Sequence, residues 1–240
     1  MEQLPPYKIF PLGDAALVID FGNLIDESIN KLVHAVFYQL QKDPIPGMIE
    51  AVPAYSSLTI YYNVLFIRKK ISRHETAFEW ISEKVKKYLS RETIEMEDSG
   101  TLIRIPVCYE SDYGTDLNFI AMQNKISVEE IIHLHVSTTY RVYMLGFLPG
   151  FAYMGMVDEK IATPRKQFPA PVEAGSIGIA GRQTGIYPLN SPGGWQIIGR
   201  TPLKLFDKEK NDPTLFKTGD TVQFNSITKD EFENTKSRNA

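Results

Sequence analysis

With 240 residues, 43% of them hydrophobic and 23% charged, the chain has the composition of a folded globular protein and leaves no room for global disorder. Its 26 basic and 29 acidic residues give a net charge of −3, without the cationic surplus that collects nucleic-acid phosphates or anionic lipid, so neither nucleic acid nor a membrane surface is expected as a partner. Cys108, the only cysteine, excludes an internal disulfide; no uncharged apolar run approaches the roughly 20 residues of a membrane helix, and MEQLPPYKIF has no cationic or long apolar leader, so a soluble, cytoplasmic protein is expected.

In chain order, YKIF and AALVIDF read as two short strands joined through the tight turn Pro11-Leu12-Gly13-Asp14. From Asp26, the apolar residues Ile29, Leu32, Val33, Val36, Phe37 and Leu40 recur at three- and four-residue steps, which predicts a helix that stops before Pro44. Two further strands, MIEAVPAY and SLTIYYN, precede a second helix, with Ser72 and Glu75 at capping-box spacing and Ile81, Val85 and Leu89 on its buried side. The order strand, strand, helix, strand, strand, helix predicts an α+β domain over residues 1–98, with the boundary in the polar stretch RETIEMEDSG, near Asp98.

Beyond it, TLIRIPVCY has strand character, and helices are expected over residues 116–123 and 127–136, the second opened by Ser127 and Glu130. From Tyr140 to Phe224, short apolar runs such as YRVYML, SIGIAG, GWQIIG and TVQFN alternate with glycines and prolines, so residues 99–227 are expected to form a mostly β, barrel-like domain. Residues 228–240 are polar without apolar period and read as a frayed tail.

No GxxxxGK[ST], HExxH, paired CxxC or GxSxG is present, so neither an autonomous phosphate site nor a metal site is predicted. The densest chemical signal is GFLPGFAY, where glycines allow close turns while Phe147, Pro149, Phe151 and Tyr153 offer flat apolar surface for a pocket wall; a tightly turned hydrophobic corner is the plain alternative. Arg165, Ser176, Gln183, Thr184 and Tyr187 follow among glycine-rich turns. Arginine can hold a carboxylate through two charge-assisted hydrogen bonds, and Gln or Thr can read an amide or lactam, although each taken alone reads first as a solvated or turn-stabilising side chain. Ser191, Gly193, Gly194 and Trp195 form a second segment able to approach and stack on a ligand, and Arg200 is a further anion contact. No catalytic residue is identified. His133 and His135 project from different faces of one helix and form no metal pair; His135 is read as a hydrogen-bonded packing histidine, with general base as the other role, while His34 and His74 are expected at the surface and Cys108 inside a strand.

GFLPGFAYMG, ATPR, AGSIGIAGRQTGIYP and SPGGWQIIGRTP, together with PLGDAALVIDFG, PGMIEAVPAYSSLTIYYN and His135 ahead of Tyr140-Arg-Val142, resemble the KipI/PxpB family, also called allophanate hydrolase subunit 1-like, over nearly the whole chain. The resemblance implies a cyclophilin-like barrel after the α+β domain and a subunit of ATP-dependent 5-oxoprolinase, which opens 5-oxo-L-proline to L-glutamate. That subunit is inactive without PxpA-type and PxpC-type (KipA-like) partners, and ATP is a co-substrate of the complex that this chain does not bind alone. It also implies a second role, inhibition of a sporulation sensor histidine kinase by direct binding; prolyl isomerase activity follows only from the fold and ranks last. Where the family pattern has a second Pro-Arg and a Pro-Ala-Gly, this chain reads Phe168-Pro-Ala-Pro171 and Glu173-Ala-Gly175, which leaves Arg165 with more of any anion-binding role.

Overall fold

The computed structural model describes residues 5–90 and 100–238. The chain divides into two compact units, Met1–Asp98 and Ser99–Ala240. Asp98, chosen above as the boundary residue, lies outside the described residues.

In the N-terminal unit, strands β1 (Lys8–Pro11) and β2 (Ala16–Asp20) are followed by helix α1 (Glu27–Lys42), strands β3 (Met48–Pro53) and β4 (Ser57–Tyr62), and helices α2 (Val64–Arg68) and α3 (Ala77–Leu89). The strands form one antiparallel sheet in the order β1-β2-β4-β3. Period-2 alternation sends Leu17 and Ile19 of β2 and Leu58, Ile60 and Tyr62 of β4 to one face, where they meet Leu32, Val33, Val36 and Leu40 of α1 and Ile81, Val85 and Leu89 of α3. Asp26 caps α1 by accepting the Ile29 N–H at 2.9 Å.

Two expectations for this unit need correction, and one short helix has no counterpart among them. The capping box of α3 is Thr76 with Glu79, not Ser72 with Glu75. Both pairs have the spacing, but the apolar stripe Ala77, Ile81, Val85 and Leu89 starts only after Thr76, and burial decides between them. His34 is buried on α1, edge-on to Phe37 at 6.4 Å, rather than at the surface. The single-turn helix α2, capped by Asn63, has too few residues to show an apolar period.

The second unit opens with β5 (Leu102–Cys108), α4 (Leu117–Asn124), α5 (Val128–Ser137), β6 (Thr139–Leu145) and β7 (Ala152–Gly155). It continues through β8 (Ala170–Val172), β9 (Ser176–Ala180), β10 (Gln183–Ile186), β11 (Ser191–Gly193), β12 (Gln196–Arg200) and β13 (Thr221–Ile227) to α6 (Lys229–Arg238). Seven strands close into a barrel in the order β10-β7-β6-β13-β5-β12-β9, while β8 and β11 pair separately. The barrel is mixed: β13 runs parallel to β5, from Thr221 opposite Leu102 to Ile227 opposite Cys108, and the other neighbours are antiparallel. Ile105, Val107, Val142, Met154, Ile177, Ile179, Ile186, Ile198, Val222 and Phe224 fill its interior.

Residues 229–238 are not a frayed tail. Thr228 and Glu231 cap α6 reciprocally, the Thr228 N–H donating to Glu231 Oε2 at 2.8 Å and the Glu231 N–H to Thr228 Oγ1 at 3.3 Å. Phe232 is buried 4.5 Å from the Tyr113 ring, beside Cys108, and Tyr113 donates to Glu233 at 2.7 Å. One apolar anchor holds the helix, and one apolar residue makes no period. None of the described helices is long and apolar enough to cross a membrane.

Candidate functional site

Strand alternation decides which side chains leave the barrel interior. On β9, Ile177 and Ile179 point in, so Gly178 and Ala180 point out; on β10, Thr184 and Ile186 point in, and Gly185 points out. Gly178 and Gly185 face each other across the strand pair and leave a bare patch on the outer surface. A Cβ at Gly185 would lie 2.8 Å from the Ala152 carbonyl and 3.0 Å from the Trp195 ring, and one at Gly178 2.9 Å from Trp195 Cβ. The missing side chains are thus what let Trp195 and Phe151 pack directly against the barrel wall.

On that bed Phe151 meets Trp195 edge-on at 5.4 Å, Tyr187 at 5.1 Å and Tyr153 at 4.7 Å, and Tyr153 meets Trp195 at 5.8 Å. Phe147, 64% exposed, stands at φ 69°, a left-handed conformation unfavourable for a bulky side chain, with its ring perpendicular to Phe151. The cluster forms one wall of a groove of about 490 Å³; Arg165, Lys166, Gln167, Pro169 and Pro192-Gly193-Gly194 line the rest.

The segment carrying Arg165 is pinned on both sides. The Gln196 amide donates to the Pro164 carbonyl at 3.0 Å, and the Lys166 N–H donates to the Gly194 carbonyl at 2.7 Å. The Lys166 ammonium sits 2.6 Å from the Asp116 carboxylate. Arg165 itself has no ion pair or hydrogen bond among the described residues. Burial pushes the Tyr153 and Tyr187 phenols up, and the nearby Arg165 charge pulls both back without reversing the shift. The groove therefore joins phenols and apolar rings to an exposed guanidinium carried on a backbone segment pinned on both sides, a combination suited to a small ligand with a carboxylate.

Of the residues singled out in the sequence, Phe147, Phe151, Tyr153, Arg165, Tyr187, Gly193, Gly194 and Trp195 come together here. Pro149 is exposed on the turn before β7 and does not line the groove. Ser176 is buried at the start of β9, its carbonyl accepting the Tyr187 N–H, while Gln183 is half-buried at the start of β10 and Ser191 half-buried on β11; none of the three lines the groove. Arg200 lies in a separate cleft of about 290 Å³ beside α6, ion-paired with Glu173 and over the Tyr113 ring. Sequence reasoning missed Lys166, Gln167, Pro169 and Pro192. Lys166 adjoins Arg165 in sequence, but its partner Asp116 is fifty residues away and nothing local announces the pair.

Thr184 is enclosed within the barrel with His135. His135 stacks on Phe224 at 4.5 Å, with Nδ1 2.8 Å from the Tyr109 hydroxyl and Nε2 3.1 Å from Thr184 Oγ1. Thr184 Oγ1 donates to the Gly178 carbonyl at 3.1 Å, so it accepts from Nε2–H, and Nδ1 accepts from Tyr109. Every polar atom of the neutral ring is satisfied, and His135 is a packing residue. Burial pulls its pKa down to about 3. Against an unfolded value near 6.5, stability is complete above about pH 6.5 and falls as pH drops toward 3, because the unfolded chain takes up a proton that the fold refuses. Urea unfolding of a His135→Gln variant should accordingly lose about 2 kcal/mol less than the parent between pH 6.5 and 5; parallel profiles would count against a neutral buried ring. Among the described residues, no group of three or more His, Cys, Asp or Glu side chains could hold a metal ion.

The family model for the carboxyltransferase domain, subdomain C and D, matches residues 7–216. The B subunit of 5-oxoprolinase from Bacillus subtilis (strain 168) is 43% identical over 228 residues, covering 94% of this chain and 95% of the relative. Its counterpart of the same name from Escherichia coli O157:H7 is 34% identical over 218 residues, 90% of this chain and 94% of the relative. Among solved structures, TTHA0988 superposes with a TM-score of 0.73 at 33% identity over 88% of this chain, which spans only 40% of that longer chain. The Kluyveromyces lactis urea amidolyase superposes with a TM-score of 0.76 over 98% of this chain and 16% of its own, at 20% identity, a likeness of fold alone.

Proposed function

This chain belongs to the carboxyltransferase domain family, subdomain C and D, with relatives named as B subunits of 5-oxoprolinase matched along almost their full length, and from that premise we propose that it is the B-type subunit of an ATP-dependent 5-oxoprolinase. The complex opens the lactam of 5-oxo-L-proline to L-glutamate, and the chain has no activity alone. Its partners are PxpA-type and PxpC-type subunits, and it works in the cytoplasm. The observation that carries this reading is Arg165: a guanidinium with no partner among the described residues, lining an aromatic groove, matches a ligand that is a small ring with one carboxylate.

In the reaction ATP supplies the phosphoryl group that activates the carbonyl oxygen of a stable lactam. The residues of this chain bind and orient. Arg165 takes the substrate carboxylate in its two-pronged fork, and Trp195 and Phe151 give the ring an apolar face. Tyr153 and Tyr187, kept neutral by burial, offer hydroxyls to the lactam edge, and Phe147 at the rim shields the bound ring from water.

The test is reconstitution. The purified chain is mixed with A- and C-type partners, and ATP-dependent glutamate formation from 5-oxoproline is measured with each subunit omitted in turn. Turnover is expected only when all three are present. Full turnover without this chain sinks the subunit reading and moves direct binding to a sensor histidine kinase to first place.

A further inference from the structure

Two cations line the groove, and a carboxylate stands against one of them. Arg165 is uncompensated among the described residues, whereas the ammonium of its neighbour Lys166 is 2.6 Å from Asp116. Asp116 stands at the N-terminus of α4, where a carboxylate ordinarily caps the helix, yet its side chain makes no capping bond. It turns instead toward the groove wall, and the same Oδ2 that meets Lys166 accepts the Ile197 N–H at 2.6 Å. The Asp116 N–H completes the pair by donating to the Ile197 carbonyl at 2.9 Å. The carboxylate is therefore fastened to β12, and with side chains only 18% and 22% exposed, Asp116 and Lys166 form a half-buried ion pair rather than a surface one.

Two cations and one anion leave one net positive charge. We propose that Asp116 sets the charge selectivity of the groove: by occupying Lys166 it leaves Arg165 as the one uncompensated cation among the described residues there, so that the site takes a ligand with a single carboxylate and disfavours one with two. The inference rests on the groove being the 5-oxoproline site. Its chemical consequence is a difference between substrate and product. 5-Oxoproline carries one carboxylate and a neutral lactam; hydrolysis breaks the amide C–N bond of the ring with one water and leaves an ammonium on the former ring nitrogen and a second carboxylate, so the net charge is unchanged and discrimination falls on the new carboxylate, which finds Lys166 already satisfied and the Asp116 charge close by. Asp116 thus favours entry of the closed ring and departure of the opened one.

Asp116→Asn isolates the charge, because the amide oxygen still accepts the Ile197 N–H. In the reconstituted complex, the KM for 5-oxoproline and the inhibition constant for glutarate, a plain dicarboxylate, are measured side by side. The Asn variant is expected to shift the ratio of the two toward glutarate by about tenfold, since a freed Lys166 offers the second carboxylate a partner at short range. Lys166→Gln, which leaves Asp116 unopposed beside Arg165, is expected to raise the KM about tenfold with no gain for glutarate. An unchanged ratio in the Asn variant, or an unchanged KM in the Gln variant at parental melting temperature, overturns the inference. Arg165→Ala separates the two levels. If it leaves the KM untouched, the groove is not the substrate site; if it raises the KM while Asp116→Asn leaves the ratio unmoved, only the role of Asp116 falls.

Discussion

Replacing Arg165 by alanine is expected to lower glutamate formation by the reconstituted complex about a hundredfold or more while leaving the melting temperature where it was. The size follows from what is removed: two charge-assisted hydrogen bonds to one carboxylate, at about 1.5–3 kcal/mol net each. The silence of the melting curve follows from the exposure of Arg165 and its lack of any partner among the described residues. Arg165→Lys keeps the charge but loses the planar fork, and about tenfold of the loss should remain. Steady-state kinetics with differential scanning calorimetry on the same preparations decide the matter. Parental turnover in the alanine variant would remove the groove from the chemistry.

The second large effect concerns stability. Trp195→Ala is expected to cost about 3–5 kcal/mol, because it strips a buried indole from a cluster that has no other means of filling the space. Phe151 and Tyr153 both lose an edge contact with Trp195, and the bed made by Gly178 and Gly185 is left bare. Trp195→Phe keeps a ring on the bed and should cost less. Urea unfolding gives the free energies. A loss below about 1 kcal/mol for the alanine variant would mean that the aromatic wall is not a structural unit but a set of independent surface rings.

What could be read from the sequence depended on whether the signal was local. The first helix announced itself because Ile29 through Leu40 repeat at helical steps behind the cap at Asp26. The glycine-spaced runs after Tyr140 announced strands, and the GFLPGFAY and SPGGWQ segments announced a wall. What failed was non-local or ambiguous. Two capping boxes four residues apart were equivalent until burial chose Thr76. Helix α6 hangs on Phe232 alone, so its polar sequence looked unstructured even though Thr228 and Glu231 carry a capping box. Thr184 adjoins the outward-facing Gly185 in sequence but points inward, since period 2 sends neighbours to opposite faces. Arg200 follows the Trp195 segment closely, yet lies in a different cleft. The pair of Asp116 and Lys166 is a tertiary contact that no short-range pattern contains.

The parallel pairing of β5 with β13 also orders events during synthesis. The strand that opens the second unit finds its parallel partner only when residues 221–227 have been made, more than a hundred residues later. Until then the nascent segment carries an unclosed sheet with open edges, the kind of species that aggregates or engages chaperones. The antiparallel sheet of the first unit has no such wait, since its last strand ends at Tyr62. A ribosome stalled after β5 has been made but before residue 221 therefore displays a first unit with every strand of its sheet already made, joined to a barrel that cannot shut.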